Sequence, residues 1–221
     1  MQTGLKEKVI MHALWPERRH QYNSTPLKHI LFYACIVELL EKGIVVVENK
    51  RIKCRDAETG DPVLDNVVSL LLPYSGKKLS RIAYQLVPKK ATGIYRKQKE
   101  LMAEHNLLEK EDISILMWKV GNSYRVRNYD ILKPDIKKLE RVLVYGRKPD
   151  RETMLLAVLA REGKLFKNIF RNYEFRKNAE KNYKVLLNSG LIAHDQAITA
   201  LRKSYKHSLN VQYASGTTST T

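Results

Sequence analysis

The chain has 221 residues, of which 43% are hydrophobic, enough for a buried core in one or two domains. Forty Lys and Arg residues against 23 Asp and Glu give a formal net charge of +17, which predicts a polyanionic partner: nucleic acid, an anionic membrane surface or phosphorylated lipid headgroups. The two cysteines form no metal or redox spacing, and residues 1–15 contain no apolar run long enough for a signal peptide or a membrane span. Any membrane contact is therefore expected to be peripheral.

Helical periodicity dominates the first part of the chain. Apolar residues at helical spacing predict a first helix over 5–15, and Thr25-Pro26 opens a second helix that stops at Gly43. The β-branched segment 44–47 and the alternating segment 51–55 predict a β-hairpin.

The segment Thr59–Asp65 carries the strongest local signals. Gly60 can adopt a positive φ, Asp61 can accept hydrogen bonds from free helix amides, and Pro62 has no amide to leave unpaired at the first helical position. Asp65 falls in the first turn, where negative charge complements the helix dipole. We therefore interpret both aspartates as helix-capping groups rather than as a catalytic or metal-binding pair.

A second hairpin interrupts a helical remainder. Its strands are predicted at 112–119 and 124–127 with a turn at Gly121-Asn122, and the first strand is apolar on both faces, which indicates a buried strand or a contact surface. Helices are predicted over residues 62–73, 75–86, 91–108, 134–145, 150–170, 173–187 and 195–205.

These elements predict a mainly α fold, with a single globular helical domain over residues 1–208 and two short β-hairpins. Residues 209–221 end in a Ser/Thr/Gly run with nothing apolar to bury and are predicted to be disordered. The order helix–helix–hairpin occurs before Thr59 and again across residues 76–127, which is how a winged helix is built.

Common catalytic signatures are absent. The chain has no glycine-rich phosphate loop, no G-x-S-x-G, no H-E-x-x-H and no paired C-x-x-C, so we expect a non-catalytic protein without a cofactor. The six histidines are scattered without ligand spacing, and no metal site is predicted.

Basic residues interleaved with aromatic ones recur along the chain. Arginine supplies forked donors for phosphate groups, and an aromatic ring supplies a flat amphipathic body at an interface. Any single cluster is compatible with a solvated face, but the net charge favours a role for at least one. The clusters lie at residues 18–22, 95–97, 124–129 and 171–177.

Several short motifs, spread over residues 4–207, occur in the same order as in one known protein family. They are Leu5–Leu14, Ile36–Ile44, Thr59–Asp65, Tyr84-Gln85-Leu86 leading to Leu107-Leu108, Asp150-Arg151, Leu155-Leu156-Ala157 and Asn168-Ile169-Phe170. By these motifs the chain resembles the Golgi phosphoprotein 3 family, peripheral membrane proteins that bind phosphatidylinositol 4-phosphate. Thr59–Asp65 is the most specific of them.

The resemblance implies a lipid-headgroup pocket on a basic face. The family's headgroup tryptophan corresponds to the neighbourhood of Tyr22, an arginine of the second helix corresponds to Phe32, and two further arginines correspond to segment 92–97. The candidate headgroup-binding residues are Tyr22, Lys28, Arg96, Lys97, Arg18 and Arg19.

Residues 112–127 resemble the family's projecting hairpin, which implies self-association or membrane contact. The candidate contact residues are Ile113, Ile115, Leu116, Met117, Trp118 and Tyr124. The implied function is that of a peripheral membrane adaptor for the tails of client membrane proteins, cytoplasmic and, in a eukaryote, on the cytosolic face of the Golgi. The alternative is a winged-helix-type nucleic-acid-binding protein, because net charge does not distinguish phosphodiesters from lipid headgroups.

Overall fold

The computed structural model describes residues 3–14, 25–115, 118–189, 192 and 195–216. The fold is mainly α with two small antiparallel sheets, which confirms the predicted class. The α-helices are α1 (Leu5–Ala13), α2 (Thr25–Glu41), α3 (Pro62–Leu71), α4 (Leu79–Arg81), α5 (Val87–Glu104), α6 (Lys133–Leu139), α7 (Arg151–Glu162), α8 (Phe166–Ile169), α9 (Tyr173–Asn188) and α10 (Gln196–Gly216). The strands are β1 (Val45–Glu48), β2 (Arg51–Cys54), β3 (Leu108–Ile115) and β4 (Trp118–Val126).

Helices α1 and α2 lie at the centre of the core. Every residue of α1 is buried, and α2 is buried along most of its length, as expected of helices surrounded by other elements. Helix α2 contacts α1, α3, α5, α7 and α10, so these helices share one core.

The segment from α2 to α3 follows the prediction closely. Helix α2 ends where Gly43 adopts a φ of 66°. Strands β1 and β2 pair in the predicted hairpin, and its turn residues Asn49 and Lys50 both have positive φ, as tight hairpin turns require.

The predicted break between residues 86 and 91 is wrong. Helix α4, a π-helical turn at Ile82–Leu86 and α5 follow one another without interruption. Pro88, which has no amide to donate to the preceding turn, lies at the start of α5 directly after the π turn. The second predicted helix–helix–hairpin unit therefore has one continuous helical segment before its hairpin.

Helix α5 ends earlier than predicted because Asn106 adopts a φ of 59°. The amides of Asn106 and Leu107 donate to the carbonyls of Ala103 and Met102, which terminates the helix, and Leu108 begins β3 instead of ending α5.

The predicted turn of the second hairpin is also wrong. Gly121 and Asn122 pair within the ladder, opposite Ile113 and Asp112, and the chain reverses between Ile115 and Trp118. The register shifts beside Gly121, which is the usual meaning of a glycine inside a strand.

Two boundaries near the C-terminus differ from the prediction. Lys164, with a φ of 62°, separates α7 from α8, where one helix over 150–170 was expected. Helix α10 continues to Gly216, past the predicted end at Tyr205, so part of the tail predicted to be disordered from residue 209 is helical.

Candidate functional site

The capping interpretation of segment Thr59–Asp65 is confirmed. Asp61 accepts from the amides of Val63 and Leu64, both at 2.9 Å, and Pro62 occupies the first helical position. The Oδ1 atom of Asp65, in the first turn, accepts from the backbone and the hydroxyl of Thr59 at 2.7 Å each.

Asp61 also closes a buried ion cluster that the sequence did not reveal. The Nζ atom of Lys6 lies 2.7 Å from Asp61, 2.8 Å from Glu7 and 3.3 Å from Glu38. Burial favours a neutral amine, but the three carboxylates outweigh it and raise the pKa of Lys6 above its ordinary value. The cluster ties α1, α2 and α3 together.

The predicted headgroup residues divide into three groups. Tyr22, Arg18 and Arg19 lie outside the described residues. Lys28 is half-buried in the first turn of α2, and Arg96 and Lys97 are exposed on α5.

Lys28 lies near Lys99, a residue that the sequence reasoning did not select. The Nζ atom of Lys99 sits 4.6 Å from the centre of the Tyr95 ring and 4.3 Å from that of Tyr124. Burial, then the charge of Lys28, lowers the pKa of Lys99, and Glu100 partly opposes the shift. We call Lys28, Lys99, Tyr95 and Tyr124 the cation site.

The positive charge of the cation site is not compensated by an ion pair within the part of the chain that the structure describes. Neither Lys28 nor Lys99 forms a salt bridge with any carboxylate of the described residues. Aromatic faces stabilise an ammonium group by about 0.5–2 kcal/mol. An anion entering this site would meet two half-buried ammonium groups.

Helix geometry separates the two predicted residues of α5. At roughly 100° per residue, Arg96 lies about 60° from Lys99 around the helix, whereas Lys97 lies about 160° away. Lys97 instead donates to the carbonyl of Pro62 at 2.9 Å. Arg96 can therefore extend the cation site, and Lys97 cannot.

Buried rings lie at Phe32, where the resemblance implies an arginine, and at Tyr95, within the segment 92–97 that corresponds to two further arginines. Phe32 is completely buried in α2, and only 3% of Tyr95 is exposed. Lys28 and Lys99 supply positive charge near these positions from other points of α2 and α5.

The second hairpin adjoins the cation site through its base. Leu108, Tyr124 and Val126 are buried there, so Tyr124 belongs to the cation site rather than to the outer contact surface for which it was predicted. Beyond this base, the paired strands of the hairpin extend for about 17 Å, from residue 110 to residue 115 of β3. Of the other predicted contact residues, Ile113 and Ile115 lie in β3 and Trp118 in β4, whereas Leu116 and Met117 lie outside the described residues.

A second cationic region was missed entirely. The first hairpin, the start of α4 and one face of α10 enclose a groove of about 620 Å³. Its cationic side chains, Lys50, Lys78 and Lys203, come from sequence segments far apart, and each alone reads as an ordinary surface lysine. We call it the hairpin–helix groove.

The fold and the cation site define a mainly helical protein with a cationic surface beside a β-hairpin, and no described helix is long and apolar enough to cross a membrane. The family model of Golgi phosphoprotein 3 (GPP34) matches residues 5–207. The chain therefore belongs to the Golgi phosphoprotein 3 family. A search of curated proteins finds no match.

Proposed function

We propose that this protein is a non-catalytic peripheral membrane adaptor that binds anionic lipid headgroups through the cation site. Arg96 extends the site toward solvent, and the second hairpin contacts the membrane or a second copy of the chain. In this role it acts on the cytoplasmic side of a membrane, the cytosolic face of the Golgi in a eukaryotic cell, and holds client membrane proteins there.

The observation that carries the proposal is the unpaired charge of Lys28 and Lys99. A lowered pKa means that the fold holds the Lys99 charge at a cost, and no ion pair within the described residues offsets it. A headgroup phosphate would offset it by charge-assisted hydrogen bonds. The aromatic walls give the site an amphipathic character that suits the interface between headgroups and acyl chains.

Headgroup selectivity follows from the residues inside the site. Because its half-buried cations, Lys28 and Lys99, are lysines without a forked donor, and Phe32 stands where the resemblance implies an arginine, we expect binding to depend more on the charge density of the membrane than on headgroup shape. Phosphatidylinositol 4-phosphate, the family's ligand, is then bound mainly for its charge.

Vesicle flotation tests the proposal. Phosphatidylcholine vesicles would be compared with vesicles containing phosphatidylserine or phosphatidylinositol 4-phosphate at matched total charge. We expect flotation only with the two anionic compositions, to a similar extent, and weaker flotation as salt is raised from 50 to about 300 mM. Absence of flotation with both anionic compositions at low salt would exclude the proposed function.

A gel-shift series with duplex DNA distinguishes the proposed membrane adaptor from the alternative, a winged-helix-type nucleic-acid-binding protein. Tight duplex binding with a steep salt dependence, in the absence of vesicle binding, would favour a nucleic-acid-binding protein instead.

A further inference from the structure

We propose that the hairpin–helix groove binds an extended acidic peptide segment of a partner protein. The inference rests on the adaptor role proposed above, because it supplies the adaptor's second ligand, but the groove is separate from the cation site. It is built from β1, the turn after it, α4 and α10.

The groove follows one face of α10 for about three helical turns, which suits a linear ligand. Its helical wall is a single stripe of α10 from Gln196 to His207, with lining residues at helical spacing. The eleven residue-to-residue steps from Gln196 to His207 extend about 16 Å along the helix. A peptide in extended conformation covers that length with about five residues.

Among the described residues, every charged side chain that lines the groove is positive. Lys50 and Lys78 lie on one wall and Lys203 on the other, all three are exposed, and none forms an ion pair with a described residue. A neighbouring depression of about 480 Å³ shares Lys78 and adds Arg51 and Arg81, again without a lining carboxylate. The positive field therefore continues beyond one end of the groove.

The floor favours a peptide over a nucleic acid. Val47, Leu79 and Ala200 line the groove with aliphatic surface, which accommodates aliphatic side chains between acidic ones. Single-stranded nucleic acids are instead bound on aromatic platforms. The residues that line the groove include no Phe, Tyr or Trp, and the exposed ring of Tyr84 lies outside it, in the neighbouring depression. A flat membrane surface would not fill a groove of about 620 Å³ that lies between two walls.

The walls are fixed to one another before any ligand arrives. The amide of Leu79 donates to the carbonyl of Lys50 at 2.8 Å, which ties α4 to the turn of the first hairpin. The hydroxyl of Ser204 on α10 donates to the carbonyl of Leu79 at 3.0 Å and is hydrogen-bonded to Tyr33 of α2 at 2.7 Å. A preformed site loses little entropy on binding.

Fluorescence anisotropy without vesicles tests the inference. The probe is a fluorescein-labelled ten-residue peptide with glutamate at alternate positions and valine or serine between them, and the control probe has lysine in place of glutamate. The test variant is Lys78→Glu with Lys203→Glu. The matched control is Lys181→Glu with Lys184→Glu, two exposed lysines of α9 that change the net charge equally.

We expect the wild type and the α9 control to bind the acidic peptide alike, the groove variant to bind at least tenfold more weakly, and the lysine peptide not to bind. All three proteins should keep the same thermal unfolding midpoint. Equal losses in both double variants would overturn the inference, and so would absence of acidic-peptide binding by the wild type at low salt. Tighter binding of a dT10 oligonucleotide, lost in the groove variant, would also overturn it.

Flotation of the same proteins separates this inference from the proposed function. The groove variant should still bind anionic vesicles to the extent of the α9 control. Normal flotation without peptide binding would overturn only the inference, whereas peptide binding without flotation of the wild type would overturn the membrane role alone.

Discussion

The ion cluster around Lys6 and the cation site around Lys99 hold positive charge in opposite ways. Three carboxylates lie within 3.3 Å of Lys6 and raise its pKa despite burial. Lys99 faces two aromatic rings and the charge of Lys28, and its pKa is lowered. The charge of Lys6 is compensated within the fold, whereas no carboxylate of the described residues pairs with Lys99.

This difference gives a rule for interpreting a strongly basic chain. Net charge alone treats all 40 Lys and Arg residues alike. We expect the paired lysines to stabilise the fold, and the lysines without an ion pair among the described residues to form the proposed binding surfaces. Substituting each kind should therefore change a different property.

The largest effect is expected from Lys6→Met. The substitution keeps most of the buried volume but leaves Glu7 and Glu38 without their cation, which typically costs about 3–5 kcal/mol. Urea denaturation should show this loss in the free energy of unfolding. Lys78→Met, at an exposed position, should change it by no more than about 0.5 kcal/mol. Equal small losses would mean that the Lys6 cluster does not stabilise the fold.

A second expected effect concerns pH. Burial, then the charge of Lys8, lowers the pKa of buried His12 to about 3, whereas an unfolded histidine titrates near 6.5. The unfolded chain binds more protons between these values, so the free energy of unfolding falls as pH drops below about 6.5. Between pH 7 and pH 5 this site alone should account for about 2 kcal/mol.

His12→Leu tests the pH effect with little other disturbance, because neither imidazole nitrogen of His12 has a hydrogen-bond partner among the described residues. Urea denaturation at pH 7 and pH 5 should show that the variant loses about 2 kcal/mol less stability than the wild type over this interval. His29, whose pKa burial and then Lys28 lower to about 4, keeps part of the pH dependence in both proteins. Identical losses in the two proteins would contradict the assignment.

A smaller effect on the free energy of unfolding is expected at Asp61, which both caps α3 and pairs with Lys6. Asp61→Asn retains an oxygen to cap α3 but loses the ion pair with Lys6, whereas Asp61→Ala loses both. The difference in unfolding free energy between the two variants should be about 1 kcal/mol, the usual contribution of a helix N-cap. Equal stability of the two variants would show that the cap contributes nothing here.

Local sequence rules were sufficient to predict the structure of segments whose conformation depends on a few adjacent residues. Asp61 and Pro62 specify a helix start without help from the rest of the chain, and Asn49-Lys50 specifies a tight turn. The Lys6 cluster depends on residues from three helices, and no periodicity in the sequence reveals that a lysine of α1 is buried.

The cation site shows the same limit. Its lysines belong to α2 and α5, and the Tyr124 ring comes from a hairpin whose turn was predicted in the wrong place. Sequence reasoning selected Arg96 and Lys97 as neighbours in the chain, but a helix turns adjacent residues in different directions, and Lys97 contacts α3 instead. Sequence reasoning selected Lys28 because it lies beside the implied pocket. Lys99 can be identified only from the packing of α5 against the second hairpin.

The most direct test of the cation site is the vesicle partition coefficient of Lys28→Gln with Lys99→Gln, compared with that of Lys97→Gln on the same helix. At about 1 kcal/mol per basic residue near an anionic surface, removing two charges should weaken binding by about 30-fold. Stability should be unchanged or slightly raised, because the fold holds the Lys99 charge at a cost. Lys97→Gln should bind like the wild type. If the double variant partitions as strongly as Lys97→Gln, the cation site is not the membrane-binding surface.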